Sequence, residues 1–125
     1  SMNGARVVLH QDSVLDVRLS RNSGTQKVDK EGNIATQGYR IQLFSDNKRN
    51  SREEAELRSD VVAGDMPEIP IYVTYLSPFW RLRVGDYRTY EEANAQMQVL
   101  KKKFPKYSVE MRIVKDEIVL PLYKE

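Results

Sequence analysis

The sequence predicts an α+β domain: a four-stranded antiparallel sheet with two helices on one face, in the order β-α-β-β-α-β, behind an N-terminal extension. Three observations support this prediction. Several segments alternate apolar and polar residues with the period of two that a half-buried strand requires. Two other segments carry the signals that begin and end helices. The chain also contains a faint repeat, in which an arginine-bearing strand, a polar turn and a helix beginning Glu-Glu-Ala occur twice.

The chain divides into an N-terminal extension and linker at residues 1–37 and one domain at residues 38–125. Its 125 residues are enough for a single core of ordinary size. Residues 20–37 are rich in Ser, Asn, Gly, Thr and charged residues, a composition typical of a linker or long loop. Before this segment, "RVVLHQD" predicts a short strand.

Composition excludes several classes of function. A net charge of +2 and a pI near 8.8 are too mildly basic to indicate a duplex nucleic-acid binder. The absence of cysteine removes thiol nucleophiles, disulfides and thiolate metal sites. No apolar run approaches the roughly 18 residues of a membrane span, and the chain does not open on a signal peptide. Composition alone therefore names no partner.

The first half of the domain predicts a strand and a helix. "GYRIQLFS" alternates, with Ile41 and Leu43 on one side and Gln42 and Phe44 on the other. "SREEAELRSDVVAG" begins with Ser51 three residues before a glutamate, as in a capping box, and ends at a glycine, the residue that commonly follows a helix.

The second half repeats this plan after an additional strand. "IYVTYL" predicts the second strand, "SPF" a turn, and "WRLRV" the third strand, which "GD" ends. Thr89 is the predicted cap of the second helix, with Glu92 three residues later, and Pro105 stops it. "YSVEMRIV" predicts a fourth strand, and "KD" turns the chain into a short final "EIVL".

With right-handed crossovers, this order gives the split βαβ, ferredoxin-like arrangement, which leaves one sheet face open. The apolar positions of the two central strands must face the helices: Ile41, Leu43, Leu82 and Val84. The alternate positions then project from the open face: Gln42, Phe44, Arg81 and Arg83. Aromatic faces stack on rings, guanidinium groups pair with carboxylate or phosphate, and an amide forms hydrogen bonds with hydroxyl or acetamido groups. These side chains suit an extended polar polymer.

Several segments in this order resemble the SPOR domain of bacterial cell-envelope proteins: "GYRIQLFS", the Glu-Glu-Ala helix, "IYVTY", "PFWRLRVGDYRTYEEA" and "VKDEIVLP". The resemblance covers about residues 38–121. It implies non-catalytic binding of peptidoglycan through the open sheet face, with a preference for septal glycan strands that lack stem peptides. It also implies a periplasmic or cell-envelope protein, anchored by a segment not present here and targeted to the cell wall or division site. The divisome or other envelope proteins are further expected partners.

The resemblance also suggests site residues. It matches Gln42 and Ser45 on the first strand, and Trp80 with the run that follows it on the third. Together with the open-face positions, these residues form the predicted glycan-binding set: Gln42, Phe44, Ser45, Trp80, Arg81 and Arg83. A denuded strand keeps a lactyl carboxylate on each muramic acid, which the two arginines would bind. Strict alternation, however, places Trp80 on the helix side of the sheet and Ser45 on the face away from Gln42. A bend or bulge would have to turn both side chains towards the open face. Phe79 is the aromatic residue that alternation favours.

Alternative interpretations remain open at this stage. Trp80 fits a rim-of-core aromatic, and Arg81 and Arg83 fit a solvated strand face. His10, a lone histidine, does not indicate a metal or catalytic site. We expect no enzyme, cofactor or metal, because no acid/base pair or nucleophile constellation is present. The same topology also serves RNA recognition modules, although arginine stands where their stacking aromatics are expected, so no nucleic-acid partner is expected. A protein-interaction or dimerisation domain is the third alternative.

Overall fold

The structure is a computed structural model that describes residues 33–121 in full, together with the backbone of two short strands in the preceding chain. Its elements, in chain order, are β1 (Arg6–Leu9), β2 (Lys27–Val28), β3 (Asn33–Asp46), α1 (Ser51–Asp65), β4 (Ile71–Leu76), β5 (Phe79–Tyr87), α2 (Tyr90–Lys103), a 3-10 helix (Pro105–Glu110) and β6 (Arg112–Pro121). None of the described helices is both long enough and apolar enough to cross a membrane.

The sheet has the predicted topology at its centre. Four antiparallel strands lie in the order β4-β5-β3-β6, with β3 and β5 in the middle. This order, with two main helices, confirms the ferredoxin-like α+β fold. The chain before the domain adds two strands, because β1 pairs in parallel with β4 and β2 pairs antiparallel with the start of β3. β1 falls within the predicted "RVVLHQD" strand.

Three strands have bounds that the sequence did not predict. The prediction that Gly85 and Asp86 end the third strand is wrong, because β5 continues through them to Tyr87. β3 begins at Asn33, before the predicted start at Gly38, because it pairs with β6 as far as Pro121. The strand therefore crosses residue 37, and the division of the chain there stays a prediction. The strand predicted at "YSVEMRIV" is wrong for its first part, where Pro105 begins a 3-10 helix that buries Tyr107. From Arg112 onward, β6 is a single strand rather than two short ones.

The two helices begin in different ways. Thr89 caps α2 as predicted, since its hydroxyl oxygen accepts a hydrogen bond from the Glu92 amide at 3.1 Å. The capping box predicted at Ser51 is wrong, because the residue before it occupies the cap and makes no side-chain cap bond. Instead the Ser51 hydroxyl donates to the Asp46 carboxylate at 2.8 Å, which ties the start of α1 to the end of β3. This bond also lowers the pKa of Asp46.

The core lies between the sheet and the helices. The four predicted helix-facing positions are all fully buried: Ile41, Leu43, Leu82 and Val84. They belong to one hydrophobic cluster with residues from both helices, including Ala55 and Val62 of α1 and Met97 and Leu100 of α2. The side chains that alternate with them on β3, β4 and β5 therefore point to the opposite side of the sheet.

The pairing of β3 with β5 contains two irregularities. Gln42 pairs with Arg83 but Phe44 pairs with Leu82, so Leu43 is an extra residue in β3. This is the arrangement of a β-bulge, which exchanges the two faces of a strand from that point onward. A second shift lies at Gly85, whose φ of +85° suits glycine and few other residues.

Candidate functional site

The open face of the sheet presents two rows of polar side chains. The first row crosses all four central strands in register: Arg112 of β6, Gln42 of β3, Arg83 of β5 and Tyr72 of β4. The second row lies next to it, towards the β4–β5 turn: Ser45 of β3, Arg81 of β5 and Thr74 of β4. About 7 Å separates neighbouring rows, the length of two strand residues. An extended molecule that crosses this end of the sheet would meet both rows.

The bulge in β3 determines which side chains reach these rows. The prediction that Phe44 projects from the open face is wrong, because the bulge turns Phe44 into the core, where it is 7% exposed. The same shift brings Ser45 opposite Arg81, on the face that Gln42 occupies. Arg58 of α1 holds this arrangement, since its Nη1 donates to the Leu43 carbonyl at 3.3 Å and its guanidinium lies 4.6 Å from the centre of the Phe44 ring.

Trp80 lies where strict alternation places it, on the helix side of the sheet. It packs against the hydrophobic core, with its ring centroid 5.0 Å from that of Tyr75 and 5.5 Å from the guanidinium of Arg52 on α1. The prediction that Trp80 binds ligand stays untested, but the bulge does not bring it to the open face. Phe79 is the aromatic residue that alternates with the apolar positions of β5, and it is 38% exposed. Its strand partner Leu76 is 52% exposed, so an apolar pair borders the second row.

Gln42 and Arg83 form a fixed pair at the centre of the first row. The Nε of Arg83 donates to the Oε1 of Gln42 at 3.0 Å, and Nη1 donates to Asp116 of β6 at 2.9 Å. The carboxylate therefore neutralises much of the charge of Arg83. Sequence reasoning did not identify Asp116, because its contact with Arg83 depends on how β5 and β6 are placed on either side of β3.

Arg81 differs from Arg83 in forming no direct ion pair with an acidic side chain of the described residues. It makes no hydrogen bond or ion pair within the part of the chain that the structure describes. Partial burial lowers the pKa of Arg81, the positive charge of Arg83 lowers it further, and the negative charge of Asp116 offsets only part of this. Arg81, whose strand partner in the second row is Ser45, is therefore a cation available to an anionic ligand.

A buried ionic network lies beyond the first row. Arg40 belongs to the open side of β3, yet it is only 6% exposed, and the Tyr72 ring lies 3.8 Å from its guanidinium. Its Nη2 donates to Asp86 at 2.6 Å and its Nε to the Gly85 carbonyl at 3.1 Å. Burial alone would lower the pKa of Arg40, but the Asp86 carboxylate and the other partners outweigh burial and raise it. This end of the face is thus a support for the two rows rather than an accessible surface.

Tyr72 joins the buried network to the first row. Its hydroxyl donates to Asp86 at 2.5 Å. Burial, together with the neighbouring Asp86 carboxylate, raises the pKa of Tyr72 far above its ordinary value of 10.0. The phenol therefore stays neutral across the physiological pH range.

Between residues 33 and 121, no three or more His, Asp or Glu side chains come close enough to hold a metal ion. His10 lies outside the described residues.

Comparison with known proteins gives one match. A scan against models of protein families matches the SPOR domain over residues 35–109, which is more than half of the chain. The matched range contains both rows except Arg112, and it ends before β6. Neither the curated proteins nor the solved structures that were compared with the chain gave a match.

Proposed function

The chain belongs to the SPOR domain family, a family of peptidoglycan-binding domains, and we propose that its open sheet face binds glycan strands denuded of stem peptides. SPOR domains are binding domains of bacterial cell-envelope proteins rather than catalysts. The finer proposal is that this domain acts in the periplasm and directs its parent protein to the cell wall at the division septum.

The accessible cation in the second row is the observation that carries the proposal. Arg81 forms no direct ion pair among the described residues, and Ser45 is its partner on the neighbouring strand. A muramic acid residue without its stem peptide exposes a lactyl carboxylate, which a guanidinium binds through paired hydrogen bonds. An intact stem peptide would consume that carboxylate in an amide bond. The free cation therefore favours a denuded strand over a peptide-bearing one.

The neighbouring side chains suit the uncharged parts of the same polymer. Phe79 offers an exposed aromatic ring at the edge of the second row, on which a sugar face would stack. Gln42 and Thr74 provide hydrogen-bonding groups for hydroxyl and acetamido substituents. We therefore assign the glycan site to Gln42, Ser45, Phe79, Arg81 and Arg83, and we place Phe44 and Trp80 in the packing beneath it.

A sedimentation assay with purified sacculi tests the proposal. We expect retention of the domain to increase when an amidase has removed the stem peptides beforehand, and to fall when salt screens the Arg81 charge. Arg81→Ala should reduce retention, whereas Arg88→Ala should not, because Arg88 is an exposed arginine at the opposite end of β5. If both variants lose retention equally, the effect depends on net charge alone, and the site assignment is contradicted.

A gel-shift assay with mixed single-stranded RNA addresses the main alternative. The domain should bind RNA only weakly at moderate salt, since Phe79, at the edge of the second row, is the one exposed aromatic ring that the described open face offers for base stacking. Tight RNA binding that Phe79→Ala abolishes, with no retention by either sacculus preparation, would replace the glycan proposal.

A further inference from the structure

We propose that the side-chain NH2 of Gln42 donates a hydrogen bond to the carbonyl oxygen of an N-acetyl group. We also propose that Asp116 is the positioning residue that fixes the orientation of the Gln42 amide through Arg83. The inference rests on the proposed function and specifies it: the site would select N-acetylated over de-N-acetylated glycan. Asp116 lies outside residues 35–109, the range that matches the family.

The first step concerns the direction of the Gln42 amide. The Nε of an arginine carries a proton and can only donate. The atom of Gln42 that lies 3.0 Å from it is therefore the oxygen, Oε1. Turning the amide by half a rotation would set two donors against each other. The two N–H donors of the NH2 group consequently point away from Arg83, and they require an acceptor on the ligand.

The second step concerns what fixes Arg83. Its Nη1 donates to the Oδ2 of Asp116 at 2.9 Å, and the two side chains are only 17% and 25% exposed. Asp116 is itself restrained, because its Oδ1 accepts the Glu117 amide at 2.8 Å and its Oδ2 also faces Arg40 at 3.5 Å. A chain of bonds thus runs from β6 through β5 to β3 and ends at the Gln42 amide. Each donor and acceptor in that chain allows only one direction.

The third step divides the ligand between the two rows. Asp116 compensates the charge of Arg83, so the centre of the first row offers the neutral Gln42 donor, and the exposed cation of that row, Arg112, lies at its β6 end. Arg81 forms no direct ion pair in the described chain, so the second row keeps an uncompensated cation. A glycan whose lactyl carboxylate contacts Arg81 would then bring an acetamido oxygen to Gln42. De-N-acetylation removes the acetyl group together with that oxygen and leaves an ammonium group on the sugar, to which the NH2 of Gln42 cannot donate.

The test measures affinity for soluble denuded glycan chains in N-acetylated and chemically N-deacetylated form. The unmodified domain should prefer the acetylated chains by about three- to tenfold, the size of one hydrogen bond. Gln42→Met should lose most of this preference, while Gln37→Met, an exposed glutamine on the same strand, should keep it. Repulsion between the new amines and the arginines acts equally on the unmodified domain and the two glutamine variants, so the difference in preference between these variants isolates Gln42.

Asp116 is tested by the same ratio. Asp116→Ala should reduce the preference for acetylated chains, and Asp116→Glu should restore part of it, with folding of each variant checked by circular dichroism. If Gln42→Met keeps the full preference for acetylated chains, Gln42 does not bind the N-acetyl group. If Asp116→Ala keeps it, Asp116 has no positioning role. If the unmodified domain binds neither glycan, the proposed function fails and this inference fails with it. If Arg81→Ala loses binding but the unmodified domain binds the two glycans with equal affinity, the proposed function stands and this inference is rejected.

Discussion

Phe44 and Phe79 both lie close in sequence to residues of the second row. Replacing Phe44 with alanine should reduce stability and leave glycan binding intact, whereas replacing Phe79 should do the opposite. Phe44 is 7% exposed and packs in the hydrophobic core, whereas Phe79 is 38% exposed at the edge of the open face. The bulge in β3 is the reason, because without it Phe44 would stand on the open face. The pair of substitutions therefore tests the bulge and the site together.

The expected magnitudes follow from burial. Phe44→Ala should lower the free energy of unfolding by about 3–5 kcal/mol, the usual loss for a buried phenylalanine. At about 4–8 °C per kcal/mol for a domain of this size, the Tm should fall by at least about 12 °C. Phe79→Ala should lower the unfolding free energy by no more than about 1–2 kcal/mol, since a large part of its ring is already in water. Its effect on glycan affinity should be about two- to thirteenfold, corresponding to about 0.5–1.5 kcal/mol for one stacked ring.

Thermal unfolding followed by circular dichroism gives the first quantity, and titration with denuded glycan chains gives the second. Below its own unfolding temperature, Phe44→Ala should bind with an affinity within about twofold of the unmodified domain, a difference of less than about 0.5 kcal/mol. The reverse result, a stable Phe44→Ala that no longer binds beside a Phe79→Ala that binds normally, would refute the placement of both rings.

Three further predictions concern the contacts that support the site. Arg40→Ala should destabilise the fold by about 3–5 kcal/mol in urea unfolding, because it leaves the Asp86 carboxylate buried without its cation. Arg58→Met should destabilise the fold by about 1.5–3 kcal/mol in the same assay, since the Leu43 carbonyl loses a charged donor, and Arg58→Lys should recover only part of this loss. The raised pKa of Tyr72 favours the neutral phenol in the fold, so its stabilising contribution is complete below the ordinary value of 10.0 and is lost at higher pH. Urea unfolding at about pH 9 and about pH 11 should therefore show a smaller decline in Tyr72→Phe than in the unmodified domain.

Much of the fold could be predicted from local patterns. Alternation in "WRLRV" placed Leu82 and Val84 in the core and Arg81 and Arg83 on the other side, as the structure has them. The cap at Thr89 was also correct, since a cap depends on residues three positions apart. These signals are carried by neighbouring residues, which is why one sequence sufficed to read them.

The errors concern side chains whose positions depend on residues that are distant in the sequence. The side of Phe44 depends on a bulge whose freed carbonyl accepts a bond from Arg58, fifteen residues further along the chain. The adjacent apolar pair Leu43 and Phe44 was the available signal, because strict alternation cannot bury both. Asp116 was missed for a similar reason, as its contact with Arg83 spans 33 positions in the sequence and depends on the strand order.

The bulge at Leu43 also bears on how this strand tolerates insertions and deletions. The extra residue lies between two correctly paired segments, Gln42 opposite Arg83 on one side and Phe44 opposite Leu82 on the other. A chain without it would pair regularly, with Ser45 still opposite Arg81. This position in β3 is therefore one where a single-codon deletion removes one buried leucine yet exchanges neither face of the sheet. Deletion of a regularly paired residue elsewhere in the strand would reverse the faces from that point onward.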